Sequence, residues 1–176
     1  MQLLIDVSML QIGAGPFVEF FQMRVALYQP DIPQNTGTIL RLAACLDVAV
    51  DVIGPAGFDL SSRALKRAAL DYYDWVSITQ WSTFDAFRSA AHAQSSRIVL
   101  LTTRAAAAYT SVAFEPSDIL LTGRESAGVP ADVHAAADIC VRVPMREDLR
   151  SLNVAVALAM VLGEALRQTG GFSRLS

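Results

Sequence analysis

The stretch RVALYQPDIPQNTGTILRLAA, residues 24–44, contains the elements that decide the fold. Its first five residues, RVALY, have the apolar composition of a strand, and a turn with two prolines follows them. From Thr36 onward the sequence has the composition of a helix, which Asn35 and Thr36 are suited to cap. A strand that leads through a short loop into a helix is the repeating unit of α/β domains.

The same alternation of strands and helices continues along the chain. Further strands are predicted at residues 49–53, 97–102, 118–122 and 140–143, with a weaker one at 75–78. Helices are predicted at residues 36–46, 62–69, 82–92 and 131–136, and from a Ser151 cap to about Gln168, with Ser62 and Ser82 as further N-caps and Gly170-Gly171 as the final stop. We therefore expect an α/β fold with a mainly parallel sheet flanked by helices.

The length of 176 residues predicts one compact domain. A content of 53% hydrophobic and 18% charged residues excludes a disordered chain, and the net charge of -3 excludes a protein that coats nucleic acid by bulk positive charge. Residues 1–22 contain no Lys or Arg and show no sustained hydrophobic period, so we expect them to be an N-terminal extension that adds nothing to the fold. The domain is then expected at residues 23–171, with a tail at 172–176.

The cysteines and the apolar runs bear on metal and membrane binding. Cys45 and Cys140 lie far apart with no Cys/His cluster near them, so neither a zinc site nor a disulfide framework is predicted. The longest uncharged apolar run, residues 154–162, is about half of the roughly 20 residues that cross a bilayer. We expect a cytoplasmic protein that binds neither metal nor membrane.

Three loops contain the candidate functional residues. In the first, residues 30–41, free N–H groups at the helix start suit a phosphate, and Arg41 follows further into the helix, although an ordinary surface arginine has the same pattern. The second, LLTGRESAGVP at residues 120–130, has two glycines that permit close backbone approach, with the carboxylate of Glu125 between them. In the third, residues 143–153, Asn153 is a polar residue in the first turn of an otherwise apolar helix, which suggests a second role.

Basic residues form two further groups. Arg63, Lys66 and Arg67 fall on one helical face, and Arg150 lies with other arginines near the third loop. Such groups are more often solvated faces than binding sites. Together with Arg41 they could nevertheless form a phosphate-binding surface on a mildly acidic protein.

Taken together and in order, the three loops resemble the three motifs of the SpoU branch of the SPOUT methyltransferase superfamily. The matching segments are NTGTILR at residues 35–41, LLTGRESAGVP at 120–130, and VPM with RSLNVAVALAM at 143–160. The chain is more similar still to the small tRNA 2'-O-methyltransferases that modify the wobble nucleotide, position 34, of leucine tRNAs. The segments ALDYYDW at residues 69–75 and LLTTR at 100–104 support that likeness.

The resemblance implies S-adenosylmethionine as the cofactor, tRNA as the partner, and Arg41 as the catalytic arginine. Asn35 and Glu125 match residues that shape the family's site. We assign RNA binding to Asn35, Arg63, Lys66, Arg67 and Arg150. The implied cofactor-binding residues are Leu101, Thr102, Gly123, Glu125, Val143, Met145, Ser151, Leu152 and Asn153.

The resemblance also implies a C-terminal trefoil knot and a homodimer that completes the site. An arginine is a poor base because its pKa lies above about 12, so we expect Arg41 to orient the ribose hydroxyl and to stabilise developing charge, while general-base action stays open. One departure is that Thr122 and Arg124 flank Gly123 where the family has Phe and Pro. The alternatives are a non-catalytic RNA-binding protein of the same fold and, with less support, a flavodoxin-like domain that binds a small molecule.

Overall fold

The computed structural model describes residues 22–60 and 70–175, which contain a six-stranded, fully parallel sheet. The strand order is β3-β2-β1-β5-β4-β6. The strands are β1 (Arg24–Tyr28), β2 (Ala49–Ile53), β3 (Ile78–Trp81), β4 (Ile98–Leu101), β5 (Ile119–Thr122) and β6 (Ile139–Val141). The predicted α/β class with a parallel sheet is therefore confirmed.

Four described α-helices flank the sheet. They are α1 (Pro33–Cys45), α2 (Phe84–Ala93), α3 (Ala131–Ala135) and α4 (Val154–Thr169). Short 3-10 helices occupy Leu70–Trp75, Tyr109–Ser111 and Gly171–Arg174. No helix within the described ranges is long and apolar enough to cross a membrane.

The core has two layers because successive residues of a strand point to opposite faces of the sheet. On one face, residues such as Val25, Val50 and Leu120 pack with the apolar sides of α1 and α4. On the other face, Ala26, Ile98 and Leu121 pack with Phe87 of α2 and Val133 of α3. Both faces are covered, as is typical of parallel sheets.

The predicted strands agree with the structure except at one position. The strands at residues 24–28 and 49–53 have the predicted bounds, and the other three strong predictions are right to within two residues at each end. The weak prediction at residues 75–78 is wrong, because the strand covers Ile78–Trp81 and Trp75 ends a 3-10 helix. This strand lies at the edge of the sheet, and buried and exposed residues do not alternate along it. The sequence therefore contains only a weak strand signal there. The predicted helix at residues 62–69 and most of the N-terminal extension lie outside the described residues.

Three predicted helix caps are wrong. Helix α1 begins at Pro33, with Ile32 in the N-cap position, because the fixed φ of proline suits a first helical residue. Helix α2 is capped by Thr83, not Ser82, and its hydroxyl accepts a hydrogen bond from the Ala86 amide. Helix α4 is capped by Asn153, not Ser151, whereas its predicted stop is confirmed by Gly170 in the left-handed conformation with φ 70°.

The segment between β4 and β5, residues 102–118, is attached both to the end of β6 and to the end of α4. The Tyr109 amide donates to the Arg142 carbonyl at 3.0 Å, and the Arg142 amide donates to the Ala107 carbonyl at 2.9 Å. Further along, the Phe114 amide donates to the Gln168 side chain at 3.0 Å, and Gln168 donates to the Val112 carbonyl at 3.1 Å. This long segment therefore contacts the chain both just after β6 and near the end of α4.

Candidate functional site

A cleft of about 580 Å³ opens at the carboxyl ends of β4, β5 and β6. Its walls come from the loops that follow these three strands and from the first turn of α1. Carboxyl ends of parallel strands lie at one edge of a sheet, which is where ligands of α/β domains bind. The fold therefore brings together residues that are more than 100 positions apart in the sequence.

All nine residues predicted to bind a cofactor line this cleft. Leu101 and Thr102 come from the loop after β4, and Gly123 and Glu125 from the loop after β5. The remaining five come from the segment between β6 and α4: Val143, Met145, Ser151, Leu152 and Asn153. The structure thus groups the predicted set in one place, while its role in cofactor binding stays a prediction.

Gly123 is required by a close contact between two parts of its own loop. A Cβ atom on Gly123 would lie 2.6 Å from the carbonyl carbon of Gly128 and 2.9 Å from its Cα. Just beyond, Arg124 and Gly128 exchange backbone hydrogen bonds of 3.0 and 2.8 Å, and Gly128 has φ 69°. The loop therefore folds back on itself in a way that only glycine allows at position 123.

Four polar side chains connect the three loops, and we call Asp31, Asn35, Glu125 and Asn153 the polar network. The Asn153 amide donates to Asn35 Oδ1 at 2.9 Å, and the Asn35 amide donates to Glu125 Oε1 at 3.1 Å. The backbone amide of Asp31 donates to Glu125 Oε2 at 3.1 Å. Each of the predicted motifs contributes a residue, so the network fixes their relative positions.

The carboxylate of Asp31 holds the loop after β5. Asp31 Oδ1 accepts the backbone N–H of Glu125 at 3.1 Å, and Oδ2 accepts the hydroxyl of Ser126. The side-chain interaction with Glu125, followed by the hydrogen bond from Ser126 and those from the backbone, lowers the pKa of Asp31 to about 2, because these contacts stabilise its ionised form. Burial, followed by the interaction with Asp31, raises the pKa of Glu125. Asp31 is therefore the more strongly ionised member of the pair.

Asn153 has two functions in this arrangement. Its Oδ1 accepts the backbone N–H groups of Ala155 at 2.9 Å and Val156 at 3.3 Å, which caps α4. Its amide nitrogen is left to donate to Asn35. This geometry explains why an asparagine precedes an apolar helix, since a serine could cap the helix but could not reach across to α1 with a second polar group.

Arg41 lies outside the cleft lining. It is on the exposed side of α1, where its guanidinium carbon is 4.7 Å from the centroid of the Tyr72 ring. Its Nη2 is 3.5 Å from the Tyr72 hydroxyl. The structure therefore does not bring the predicted catalytic residue together with the nine residues predicted to bind the cofactor.

The predicted RNA-binding residues divide into three groups. Asn35 lies in the cleft lining, and Arg150 is exposed beyond it. Arg63, Lys66 and Arg67 lie outside the described residues. Within residues 22–60 and 70–175, no group of three His, Cys, Asp or Glu side chains could hold a metal ion.

Sequence reasoning missed several residues of the site. Asp31 and Ser126 support the loop after β5, and Gln29 accepts a hydrogen bond from Arg124 next to the cleft. The sequence did contain one signal for Asp31, which is an acidic residue between two prolines in the first loop. Tyr72 belongs to the quoted ALDYYDW segment, but its partner Arg41 is 31 positions away.

Known proteins match this chain over most of its length. The family model described as "SpoU rRNA Methylase family" matches residues 22–163. A tRNA (cytidine(34)-2'-O)-methyltransferase of Beijerinckia indica is 56% identical over 151 residues, which cover 86% of this chain and 94% of that protein.

Two solved structures also resemble the chain. A structure described as giving insights into the 2-OH methylation of C/U34 on tRNA is 40% identical, with a TM-score of 0.78, and the match covers 84% of this chain and 95% of the other. An AdoMet-bound rRNA methyltransferase from Sinorhizobium meliloti is 26% identical, with a TM-score of 0.75, and the match covers 83% and 56% of the two chains.

Proposed function

Because the chain belongs to the SpoU rRNA methylase family and is a methyltransferase, we propose that it methylates the ribose 2'-hydroxyl at position 34 of tRNA with S-adenosylmethionine. Leucine tRNAs are the proposed substrates. Since tRNA is the proposed substrate, a cytoplasmic location is part of the proposal.

The observation that supports this proposal most strongly is the grouping of all nine predicted cofactor residues in one cleft. A volume of about 580 Å³ lies within the range of roughly 300–1,000 Å³ that is usual for ligand pockets. Leu101, Val143 and Leu152 supply apolar wall for an adenine ring, and the loop at Gly123 allows a close backbone approach. The residues present therefore fit the cofactor.

The chemistry needs positioning more than a strong base. When bound, S-adenosylmethionine supplies an electrophilic methyl group. Arg41 would orient the ribose hydroxyl and a neighbouring phosphate and would stabilise the negative charge that develops on the hydroxyl oxygen. The hydroxyl proton would pass to phosphate or water, because an arginine with a pKa above about 12 is a poor base.

Glu125 is not the proposed base. One of its carboxylate oxygens accepts the Asn35 amide and the other accepts the Asp31 backbone amide. Both oxygens are thus engaged in holding the loops, and a proton taken up on either oxygen would weaken the hydrogen bond that this oxygen accepts. Glu125 therefore holds the loops of the site, and the hydroxyl proton would pass to phosphate or water instead.

A homodimer is part of the proposal, and two observations support it. Val156 and Met160 are 51% and 41% exposed on one side of α4, next to Leu152 at 39%. An apolar stripe of this kind on a helix suits burial against a second subunit. Arg41 does not line the cleft of its own chain, which agrees with a site that two subunits complete together. Light scattering should give twice the 19.0 kDa of the chain.

We also propose that the C-terminal part of the chain forms the trefoil knot that the resemblance implies. The hydrogen bonds from residues 102–118 to both Arg142 and Gln168 are consistent with this, because they hold that segment against the end of β6 and against the end of α4. Such threading is rare in proteins.

Mass spectrometry of position 34 in tRNA incubated with the protein and S-adenosylmethionine tests the proposal. Methylation of leucine tRNA is expected, with little on other tRNAs. Cofactor binding by calorimetry without methylation of any tRNA would indicate a non-catalytic RNA-binding protein of this fold. No binding of cofactor or product would refute the cleft as the cofactor site.

A further inference from the structure

Tyr72 lies next to Arg41 in a defined geometry. It belongs to the 3-10 helix Leu70–Trp75, and the guanidinium carbon of Arg41 is 4.7 Å from the centroid of its ring. The Tyr72 hydroxyl is 3.5 Å from Arg41 Nη2. A cation within about 6 Å of a ring centroid is attracted by the negative face of the ring.

The short helix holds Tyr72 in place. Tyr73, the next residue, packs against the main core cluster, and the helix lies against α1. Tyr72 is itself half-buried, whereas Arg41 is exposed. The ring is therefore part of the framework, and the exposed arginine lies against it.

Contact with a ring suits an arginine that must act on a substrate. A guanidinium that faces a ring still has N–H donors directed away from it, so they remain available for a hydroxyl and a phosphate. An aromatic ring also leaves the positive charge uncompensated, whereas a carboxylate would neutralise it. Among the carboxylates whose side chains the structure describes, which leaves out residues 1–21 and 61–71, none forms an ion pair with Arg41.

We propose that Tyr72 is a positioning residue that holds the guanidinium of Arg41 in its working orientation before the RNA binds. This inference rests on the proposed function, in which Arg41 acts on the ribose hydroxyl. Tyr72 itself does not touch the reacting atoms. The aromatic ring carries the effect, and the hydroxyl, at 3.5 Å from Nη2, adds little to it.

The test uses the full chain with four variants: Tyr72→Leu, Tyr72→Phe, Arg41→Ala and the double variant Arg41→Ala/Tyr72→Leu. Tyr72→Leu should lower kcat about tenfold, as expected for loss of a cation–π contact. It should leave the affinity for S-adenosylmethionine within about twofold, because Tyr72 is outside the cleft lining. Tyr72→Phe keeps the ring and should retain kcat within about threefold.

The double variant separates positioning from general damage. Once Arg41 is replaced by Ala, there is no guanidinium to orient, so the double variant should be no slower than Arg41→Ala alone. Trp75→Leu is the matched control, since it removes an 80% exposed ring from the same short helix and should leave kcat unchanged.

Several outcomes would overturn the inference. A wild-type kcat for Tyr72→Leu is one, and a kcat for Tyr72→Phe as low as that for Tyr72→Leu is another. A kcat for the double variant below that of Arg41→Ala would also do so. So would a kcat for Trp75→Leu as low as that for Tyr72→Leu. Failure of the proposed function looks different, because the wild-type protein itself would then methylate no tRNA. A wild-type rate for Arg41→Ala would instead remove Arg41 from the reaction. If Arg41→Ala is inactive and Tyr72→Leu is normal, the function stands and the positioning role is wrong.

Discussion

Replacing Asn153 tests the polar network, because this residue makes two separable sets of hydrogen bonds. Asn153→Ala removes the cap of α4 and the hydrogen bond to Asn35. Loss of an N-cap costs about 1 kcal/mol, and an exposed hydrogen bond contributes about 0.5 kcal/mol. The free energy of unfolding should therefore fall by about 1.5 kcal/mol, as measured by urea denaturation.

Asn153→Asp separates the two sets. An aspartate keeps the oxygen that caps the helix, and its charge is favourable at a helix N-terminus. It has no N–H donor, however, so its carboxylate faces Asn35 Oδ1. If the Asn35 amide turns over to donate to the aspartate, its oxygen then faces Glu125 Oε1. In either orientation of the Asn35 amide, two oxygen atoms face each other: those of Asn153→Asp and Asn35, or those of Asn35 and Glu125.

These two variants should therefore differ in stability and agree in cofactor binding. Asn153→Asp should unfold within about 0.5 kcal/mol of the wild type, since its cap is intact. Both variants should bind S-adenosylmethionine about tenfold more weakly in calorimetry, which corresponds to about 1.4 kcal/mol. Ser151→Ala is the control for stability, because Ser151 lines the cleft but does not cap α4. Wild-type affinity in Asn153→Asp would refute the role of the network in shaping the site.

Three further predictions concern the loop after β5, its carboxylate and the N-terminal residues. Gly123→Ala should abolish cofactor binding in calorimetry, because its Cβ would lie 2.6 Å from the Gly128 backbone; wild-type affinity would show that the loop can rearrange. The pKa of Asp31 is lowered to about 2, so its stabilising effect is present above its unfolded value of about 4 and is lost as the pH falls toward 2; the protection of the Glu125 amide from hydrogen exchange, relative to its intrinsic rate, should fall in that window, and in Asp31→Ala, which has no acceptor there, it should already be low at pH 7. Deletion of residues 1–22 should leave the methylation rate nearly unchanged, and a tenfold loss would show that the segment belongs to the working protein.

The sequence correctly predicted the strands that are specified by a short run of neighbouring residues. Strand β1 and strand β2 were correct to the residue because each is a short apolar run between turn signals. The starts of α1 and α4 were wrong, because Asn35 and Ser151 are good N-cap types and local propensity cannot tell which polar residue caps a helix. Asn35 lies within the first turn of α1, and its side chain is engaged elsewhere.

The candidate site could be predicted only where a motif carried it. The motifs and the LLTTR segment named nine of the residues that line the cleft, but not the support that Asp31 gives to Glu125, because these two residues are 94 positions apart in the sequence. The same limit applies to Arg41 and Tyr72. Contacts of this kind depend on which strands are neighbours in the sheet, and local periodicity does not contain that order.

The separation of the polar network from Arg41 has a consequence for the reaction. Hydrogen bonds are directional, so Asn35 and Asn153 can hold three loops in one arrangement even though Asn153 is exposed. The cleft proposed for the cofactor is thereby shaped without RNA, whereas Arg41 contacts Tyr72 outside it. Changes in the network should therefore act on cofactor affinity, and changes at Arg41 or Tyr72 should act on kcat. A variant of the network that lowered kcat at saturating cofactor, with unchanged affinity, would show that the two parts are coupled.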